Sequence, residues 1–175
     1  MNFKYVSLLI IASAFLSFGS HKDLHKKVDK EIKAAFNVET YSYSIVTLSS
    51  EVTNNLPSVF SHNNLLEIKA NDNLLGYAYS GKAPSKTDEF DYLVLLDKNL
   101  IVLKTKVLAY REDYGGEIGS KRWLKQFIGK NQNDDLRYGD NIVAISGATI
   151  SVRSMTNAMN NLLKSLKILH FKNIL

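Results

Sequence analysis

The chain contains no cysteine and only two prolines among its 175 residues. Without cysteine it forms no disulfide, holds no thiolate-bound zinc or iron–sulfur cluster, attaches no c-type haem and has no thiol nucleophile. Any redox chemistry of this protein must therefore depend on oxygen or nitrogen groups, or on a bound organic cofactor.

Signatures of several enzyme classes are also missing. No GxGxxG motif follows a predicted strand, so the sequence lacks a nicotinamide-binding fingerprint, and no GxSxG marks a nucleophilic serine. A hydrolase that uses Ser146 or Ser151 is a weak alternative, because no histidine can be assigned as its base. The histidines lie near the chain ends or in a loop, and their scatter along the chain argues against a metal site: His21, His25, His62 and His170.

Positive charge slightly exceeds negative charge, with 22 Lys and Arg against 17 Asp and Glu and a net charge of +5. The basic residues are dispersed, which argues against nucleic acid as a partner and is compatible with an anionic ligand or a membrane surface. Hydrophobic residues make up 45% of a chain that has the length of one domain, so we expect a single globular unit.

The N-terminus has the pattern of an export segment. Lys4 precedes an uncharged run over residues 5–18, and small residues follow at a plausible cleavage site. The run is shorter than the ~20 apolar residues of a spanning helix, which favours a signal peptide over a membrane anchor at residues 1–19. We therefore expect the domain to be periplasmic or otherwise extracytoplasmic, with membrane association as a possibility.

The rest of the chain predicts an α+β fold, with a strand-rich centre flanked by helices. Apolar residues at helical spacing predict an amphipathic helix over residues 24–36, and a second apolar face predicts a long helix over residues 151–170. Turn-forming residues separate the segments between these helices, including a break at residues 81–87. The predicted strands cover residues 41–48, 65–70, 74–80, 91–96 and 101–110.

The segment from residue 115 to residue 147 contains most of the glycines. The tetrapeptide Ser146-Gly147-Ala148-Thr149 closes it and leads directly into the predicted C-terminal helix. Free backbone N–H groups and the helix dipole make such a helix start favourable for a phosphate. The simpler alternative is that Thr149 or Ser151 is only an N-cap. Six of the nine glycines lie here: Gly115, Gly116, Gly119, Gly129, Gly139 and Gly147.

The segment Ala144–Ser151, with its SGAT tetrapeptide, resembles the signature of the FMN-binding domain family. This family includes the C subunit of the sodium-translocating NADH:quinone oxidoreductase and the G subunit of the Rnf complex. The resemblance implies that a separate flavin transferase joins FMN to Thr149 through a phosphoester, with Ser146, Gly147, Ala148 and Ser151 around the cofactor.

A second segment extends the resemblance to roughly residues 70–165. Residues 111–119 resemble the family's glutamate and glycine loop, and residues 123–130 resemble the helix that follows it. The implied domain arrangement is a helix and strand at residues 20–60 and an FMN-binding domain at residues 61–175. The implied flavin contacts are Glu112, Tyr114, Gly115, Gly116 and Trp123, with Tyr110 as a further aromatic face.

Two positions differ from the family pattern. Val143 stands three residues before the motif's serine, where the family usually has an acid, and the nearest acid is Asp140. Tyr114 stands near the place of the usual proline. The first difference keeps noncovalent FMN binding open as an alternative to the phosphoester.

FMN accepts one or two electrons, so the resemblance implies an electron carrier rather than a stand-alone catalyst. We expect its partners to be the flavin transferase and a membrane or extracytoplasmic redox partner. The alternative from another functional class is a cofactor-free secreted binding module. A basic cluster could steer an acidic partner, although such clusters are more often a solvated face: Lys121, Arg122, Lys125 and Lys130.

Overall fold

The computed structural model describes residues 22–61 and 63–175, so the predicted export segment at residues 1–19 lies outside the described part of the chain. Its centre is a five-stranded antiparallel sheet in the order β1-β2-β3-β4-β5. The strands are β1 (Ser42–Ile45), β2 (Leu65–Ala70), β3 (Asn73–Pro84), β4 (Glu89–Asp97) and β5 (Val102–Ala109), and the helices are α1 (Lys22–Phe36), α2 (Ser50–Thr53), α3 (Lys121–Leu124) and α4 (Thr149–Phe171).

Helices cover both faces of the sheet. On one face, Val28 and Ile32 of α1 belong to a buried cluster with side chains of the sheet such as Leu93. On the other face, α4 buries an apolar stripe that includes Met159 against the alternate side chains of β4, such as Val94. Because β4 is covered on both sides, its side chains are buried without alternation, as expected for its continuous apolar run.

The predicted α+β class is confirmed, and the strands and long helices form close to their predicted positions. Asn71 and Asp72 have positive φ values of 48° and 64° in the tight turn between β2 and β3, a conformation that Asn and Asp tolerate better than most residues. Among the described residues, no helix is long and apolar enough to cross a membrane.

The predicted break at residues 81–87 is wrong in its first half. Strand β3 continues to Pro84, which pairs with Glu89 of β4. Beyond Tyr79, β3 no longer pairs with β2, so its other edge is open and a proline that lacks an N–H costs no hydrogen bond there. The turn is therefore confined to residues 85–88, and the β3–β4 hairpin projects past the rest of the sheet.

Candidate functional site

The first residue of α4 is Thr149, and no side chain caps this helix start. The N-cap is Ala148, with φ of −119° and ψ of 21°, and the first turn contains no acidic residue. The alternative that Thr149 or Ser151 is only an N-cap is therefore wrong. Uncapped N–H groups at the positive end of a helix of this length favour an anion, and the exposed Thr149 side chain lies beside them.

The turn before α4 leaves space for a ligand. Gly147 has a φ of +81°, and a Cβ built on it would meet no atom of the described chain within 4 Å. Ser146 and Gly147 are exposed, whereas Ala148 is buried beneath them. The glycine thus allows the left-handed turn without filling the space above it. An uncapped helix start, open space and an adjacent hydroxyl fit the phosphate end of FMN.

Tyr110 connects the glycine loop to the start of α4. Its hydroxyl lies 3.0 Å from Ser151 Oγ and donates to Tyr114 O at 3.0 Å when Ser151 Oγ donates to it. Gly115, with a φ of +82°, packs so closely that an added Cβ would lie 2.8 Å from the Tyr110 hydroxyl and 3.3 Å from Ala148 Cβ. Tyr110, Tyr114, Gly115, Ala148 and Ser151 therefore meet in one place, although they come from segments about 35 residues apart in the sequence.

Glu112 holds the tip of the β3–β4 hairpin. Its Oε1 accepts from the Thr87 N–H at 2.7 Å and from the Asp88 N–H at 3.3 Å. The nearby Ser85 hydroxyl and these N–H groups lower the pKa of Glu112 below its ordinary value of 4.5. Because Ser85 Oγ itself donates to Asp88 O, we assign the effect chiefly to the backbone N–H groups. In the structure, Glu112 thus connects its own loop to the hairpin through hydrogen bonds. Its predicted contact with the flavin stays a prediction.

We expect Glu112→Gln to remove a pH-dependent part of the stability. A carboxylate whose pKa is lowered in the folded state stabilises fully above its unfolded pKa, here 4.5, and this stabilisation is lost as the pH falls through the lowered value. The thermal midpoint of the parent protein should therefore exceed that of the variant between pH 5 and pH 7, and the two should converge at lower pH. If the thermal midpoints of the parent and the variant differ by the same amount down to pH 3, the stabilising contact of Glu112 with the hairpin is contradicted.

Trp123 occupies the core rather than an open face. Its side chain is buried, and its ring lies edge-on to Phe127 with centroids 5.3 Å apart. Its Nε1–H donates to Val143 O at 2.8 Å, while the Val143 N–H donates to Gln126 Oε1 at 2.8 Å. Trp123 and Gln126 therefore hold both backbone polar groups of Val143, three residues before the SGAT tetrapeptide.

Three large apolar side chains near these segments are solvent-exposed, an arrangement typical of ligand or partner contacts. Tyr114 is 83% exposed, Val143 63% and Ile150 50%.

Arg153 was not predicted as a site residue from the sequence. It lies one helical turn after Thr149, with its guanidinium 4.7 Å from the centre of the Tyr138 ring. Its position four residues after Thr149, the predicted acceptor, is the sequence feature that could have identified it.

Among the predicted site residues, the structure brings together Gly115, Ala148 and Ser151, with Ser146, Gly147 and Thr149 next to them in the chain. Gly116 adjoins this group and approaches the Tyr110 ring only at an ordinary contact distance.

Part of the chain matches a known protein family, and its fold is similar to that of a solved structure. Residues 86–164 match the FMN-binding domain family, a range that includes the Glu112 loop and the start of α4. In structure, the chain is similar to NqrC of Shewanella oneidensis, with a TM-score of 0.55, 12% identity, and coverage of 79% of this chain and 91% of that chain. At this identity the likeness shows a shared fold. No curated protein matches the sequence.

The family match confirms FMN as the cofactor and opposes the cofactor-free binding module. FMN is a carrier of electrons, and the protein around it supplies its position and surroundings. Residues 86–164 therefore carry an FMN-binding domain, and the chain is an FMN-binding electron-transfer protein.

Proposed function

We propose that this protein is an extracytoplasmic electron carrier whose FMN is attached to Thr149 through a phosphoester. One observation carries the attachment: Thr149 is an exposed hydroxyl residue at the start of a long helix that no side chain caps. A phosphate bonded to this oxygen would lie at the positive end of the helix dipole and within reach of unpaired N–H groups.

The attachment is a phosphoryl transfer in which a flavin transferase acts on an activated FMN, a phosphoanhydride. The Thr149 oxygen forms a bond to the FMN phosphorus, the phosphoanhydride bond breaks, and a nucleoside monophosphate leaves. The hydroxyl proton passes to a base, and no electron is transferred. The protein gains FMN less one water, ~438 Da.

This chain's own residues hold and orient the attached group. The backbone N–H groups of the first turn of α4 and the open space above Gly147 receive the phosphate. Arg153, on the same helix face one turn later, adds a positive charge near it. Tyr110 and Gly115 fix the helix start from below through their contacts with Ser151 and Ala148. When bound, FMN supplies one- or two-electron redox chemistry.

A second candidate is noncovalent FMN binding at the same helix start. The observation that favours it is Val143, which stands exposed where the family usually has an acid before the motif's serine. The nearest acid, Asp140, forms an ion pair with Arg137 at 2.7 Å. A transferase that requires that acid would leave Thr149 unmodified, and the phosphate site at the helix start would remain.

The extracytoplasmic location is supported by the sequence pattern of residues 1–19. It places the redox partner in the same compartment, either in the membrane or free of it. Lys121, Arg122 and Lys125 are exposed around α3 and offer a positive surface to an acidic partner, whereas Lys130 forms an ion pair with Asp134 at 3.2 Å.

Intact mass spectrometry of the full chain, produced with and without a flavin transferase, tests the attachment. We expect a gain of ~438 Da only when the transferase is present, together with absorbance near 450 nm. Absorbance that separates from the denatured protein on desalting, without any mass gain, would favour the noncovalent candidate. Protein that is colourless, shows no gain and does not bind added FMN would overturn both.

A further inference from the structure

Residues 143–147 lead to the predicted attachment point without belonging to a helix or a strand. Two contacts hold the second half of this segment: the Ile145 side chain packs against the core, and the Ala148 N–H donates to Ile145 O at 3.2 Å in a tight turn. The other four residues of the segment are exposed. The position of Thr149 therefore depends also on how the beginning of the segment, at Val143, is held.

Val143 is held by two side chains from residues 121–127. The Trp123 Nε1–H donates to Val143 O at 2.8 Å, and Gln126 Oε1 accepts from the Val143 N–H at 2.8 Å. A third bond closes the cycle, because Gln126 Nε2 donates to Trp123 O at 2.9 Å and so fixes which end of the amide faces Val143. Among the described residues, no other hydrogen bond joins residues 143–147 to a distant part of the chain.

The need to satisfy buried polar groups explains only part of this arrangement. The buried Trp123 indole N–H requires an acceptor, and Val143 O provides one. The Gln126 side chain, however, is only half-buried, and its bond to Val143 lies at the surface, so water could replace each partner there. The Gln126 bond therefore serves the position of Val143 rather than the satisfaction of a buried group.

We propose that Gln126 is a positioning residue for the attachment of FMN. Together with Trp123 it holds Val143, so that the turn after Val143 presents the Thr149 hydroxyl to the flavin transferase in one arrangement. The inference rests on the proposed function, which attaches FMN at Thr149. Gln126 acts through Val143 and takes no part in the transfer itself, in which the Thr149 oxygen bonds to phosphorus, its proton passes to a base and a nucleoside monophosphate leaves.

This arrangement fixes the acceptor from both sides. After Thr149, the Ser151 hydroxyl lies 3.0 Å from the Tyr110 hydroxyl; before it, the cycle of three hydrogen bonds holds Val143. A segment that is already ordered spares its partner the entropy cost of ordering it on binding. When a segment is competent for only a fraction of the time, the apparent affinity falls by that fraction. Loss of the Gln126 bond should thus weaken recognition by the transferase and leave the chemical step unchanged.

Steady-state kinetics of the transferase on the full chain, with attachment followed by intact mass over time, tests this role. Gln126→Met keeps the length of the side chain but has no amide. Its KM as a substrate of the transferase should rise about two- to tenfold, the ordinary worth of a hydrogen bond, with kcat within about twofold of the parent value. Gln126→Glu keeps an acceptor for the Val143 N–H and should return the KM to within about twofold of the parent value.

Asn160 offers a matched control because it holds the backbone of another residue in the same way. Its Oδ1 accepts from the Leu136 N–H at 2.8 Å, and its Nδ2 donates to Leu136 O at 2.6 Å. Because Leu136 is buried, Asn160→Leu should lower the thermal midpoint at least as much as Gln126→Met does. The KM of Asn160→Leu should nevertheless equal that of the parent protein.

Three results would overturn the positioning role: a folded Gln126→Met protein with the parent KM, a KM in Gln126→Glu as high as in Gln126→Met, or an equal rise in Asn160→Leu, since the effect would then follow stability. If Gln126→Met does not fold, Gln126→Asn replaces it with the same expectation, because its amide is one methylene shorter. A parent protein that gains no mass contradicts the proposed function instead, so the two failures are distinguishable.

Discussion

Thr149→Ala is expected to remove the entire covalent flavin, seen as the loss of the ~438 Da gain in intact mass after production with the transferase. The alanine removes the one oxygen that the proposed phosphoester requires. Thr149 is exposed and no side-chain cap depends on it, so the substitution should change the free energy of unfolding by less than about 0.5 kcal/mol. The loss would then reflect missing chemistry rather than a missing fold.

Two variants serve as controls. Thr149→Ser keeps a hydroxyl at the helix start and should keep the adduct, whereas Ser146→Ala removes an exposed hydroxyl of the same motif and should also keep it. An adduct that persists in Thr149→Ala but disappears in Ser146→Ala would move the acceptor to Ser146. Such a result would show that the flavin is attached before α4 begins rather than at its uncapped first turn.

The elements that could be predicted from sequence are those with a strong local signal. The continuous apolar run of β4 and the apolar stripe of α4 each reflect burial that their own spacing shows. The start of α4 was also predictable within two residues, because the SGAT tetrapeptide ends the glycine-rich segment. The structure confirms the predicted place of Thr149 at the start of a helix, since α4 begins at this residue.

What the sequence did not show depends on contacts between distant segments. Residues 57–64 reach α4 through the Ser58 to Ser165 hydrogen bond, which spans 107 positions. The open edge of β3 from Ser80 to Pro84 depends on β2 beginning only at Leu65, opposite Tyr79, which no local pattern reveals. Trp123 could not be assigned to core or surface because a single aromatic residue in a short helix has no periodicity to place it.

The hydrogen bond of the Glu112 side chain to the hairpin tip shows the same limit. A glutamate in a glycine-rich loop predicts an acidic group near the ligand, and the sequence offered no reason to expect its carboxylate to accept N–H groups at residues 87 and 88. Its neighbour Arg111 makes a second connection of this kind, to β4, and this contact has the larger expected effect on stability.

Arg111→Met is expected to lower the free energy of unfolding by about 3 kcal/mol, measured by urea denaturation. Arg111 donates to Asp91 Oδ2 and to Glu89 O, the latter at 2.8 Å. The Asp91 side chain is only 7% exposed, and within the described residues its Oδ1 has no hydrogen-bond partner. Removing the guanidinium leaves a buried carboxylate without its cation, whereas methionine retains much of the apolar stem.

The two side chains of this ion pair differ in exposure, so their substitutions should differ in their effect on the free energy of unfolding. Arg111 is 41% exposed in the pair, so Asp91→Asn leaves the cation accessible to water and should cost only about 1 kcal/mol. The double variant Arg111→Met/Asp91→Asn should recover most of the loss seen in Arg111→Met, because no buried charge remains. If instead the two single variants lower the free energy of unfolding equally, and these losses add in the double variant, the pair is an ordinary surface ion pair. Glu112 alone would then hold the hairpin to the loop.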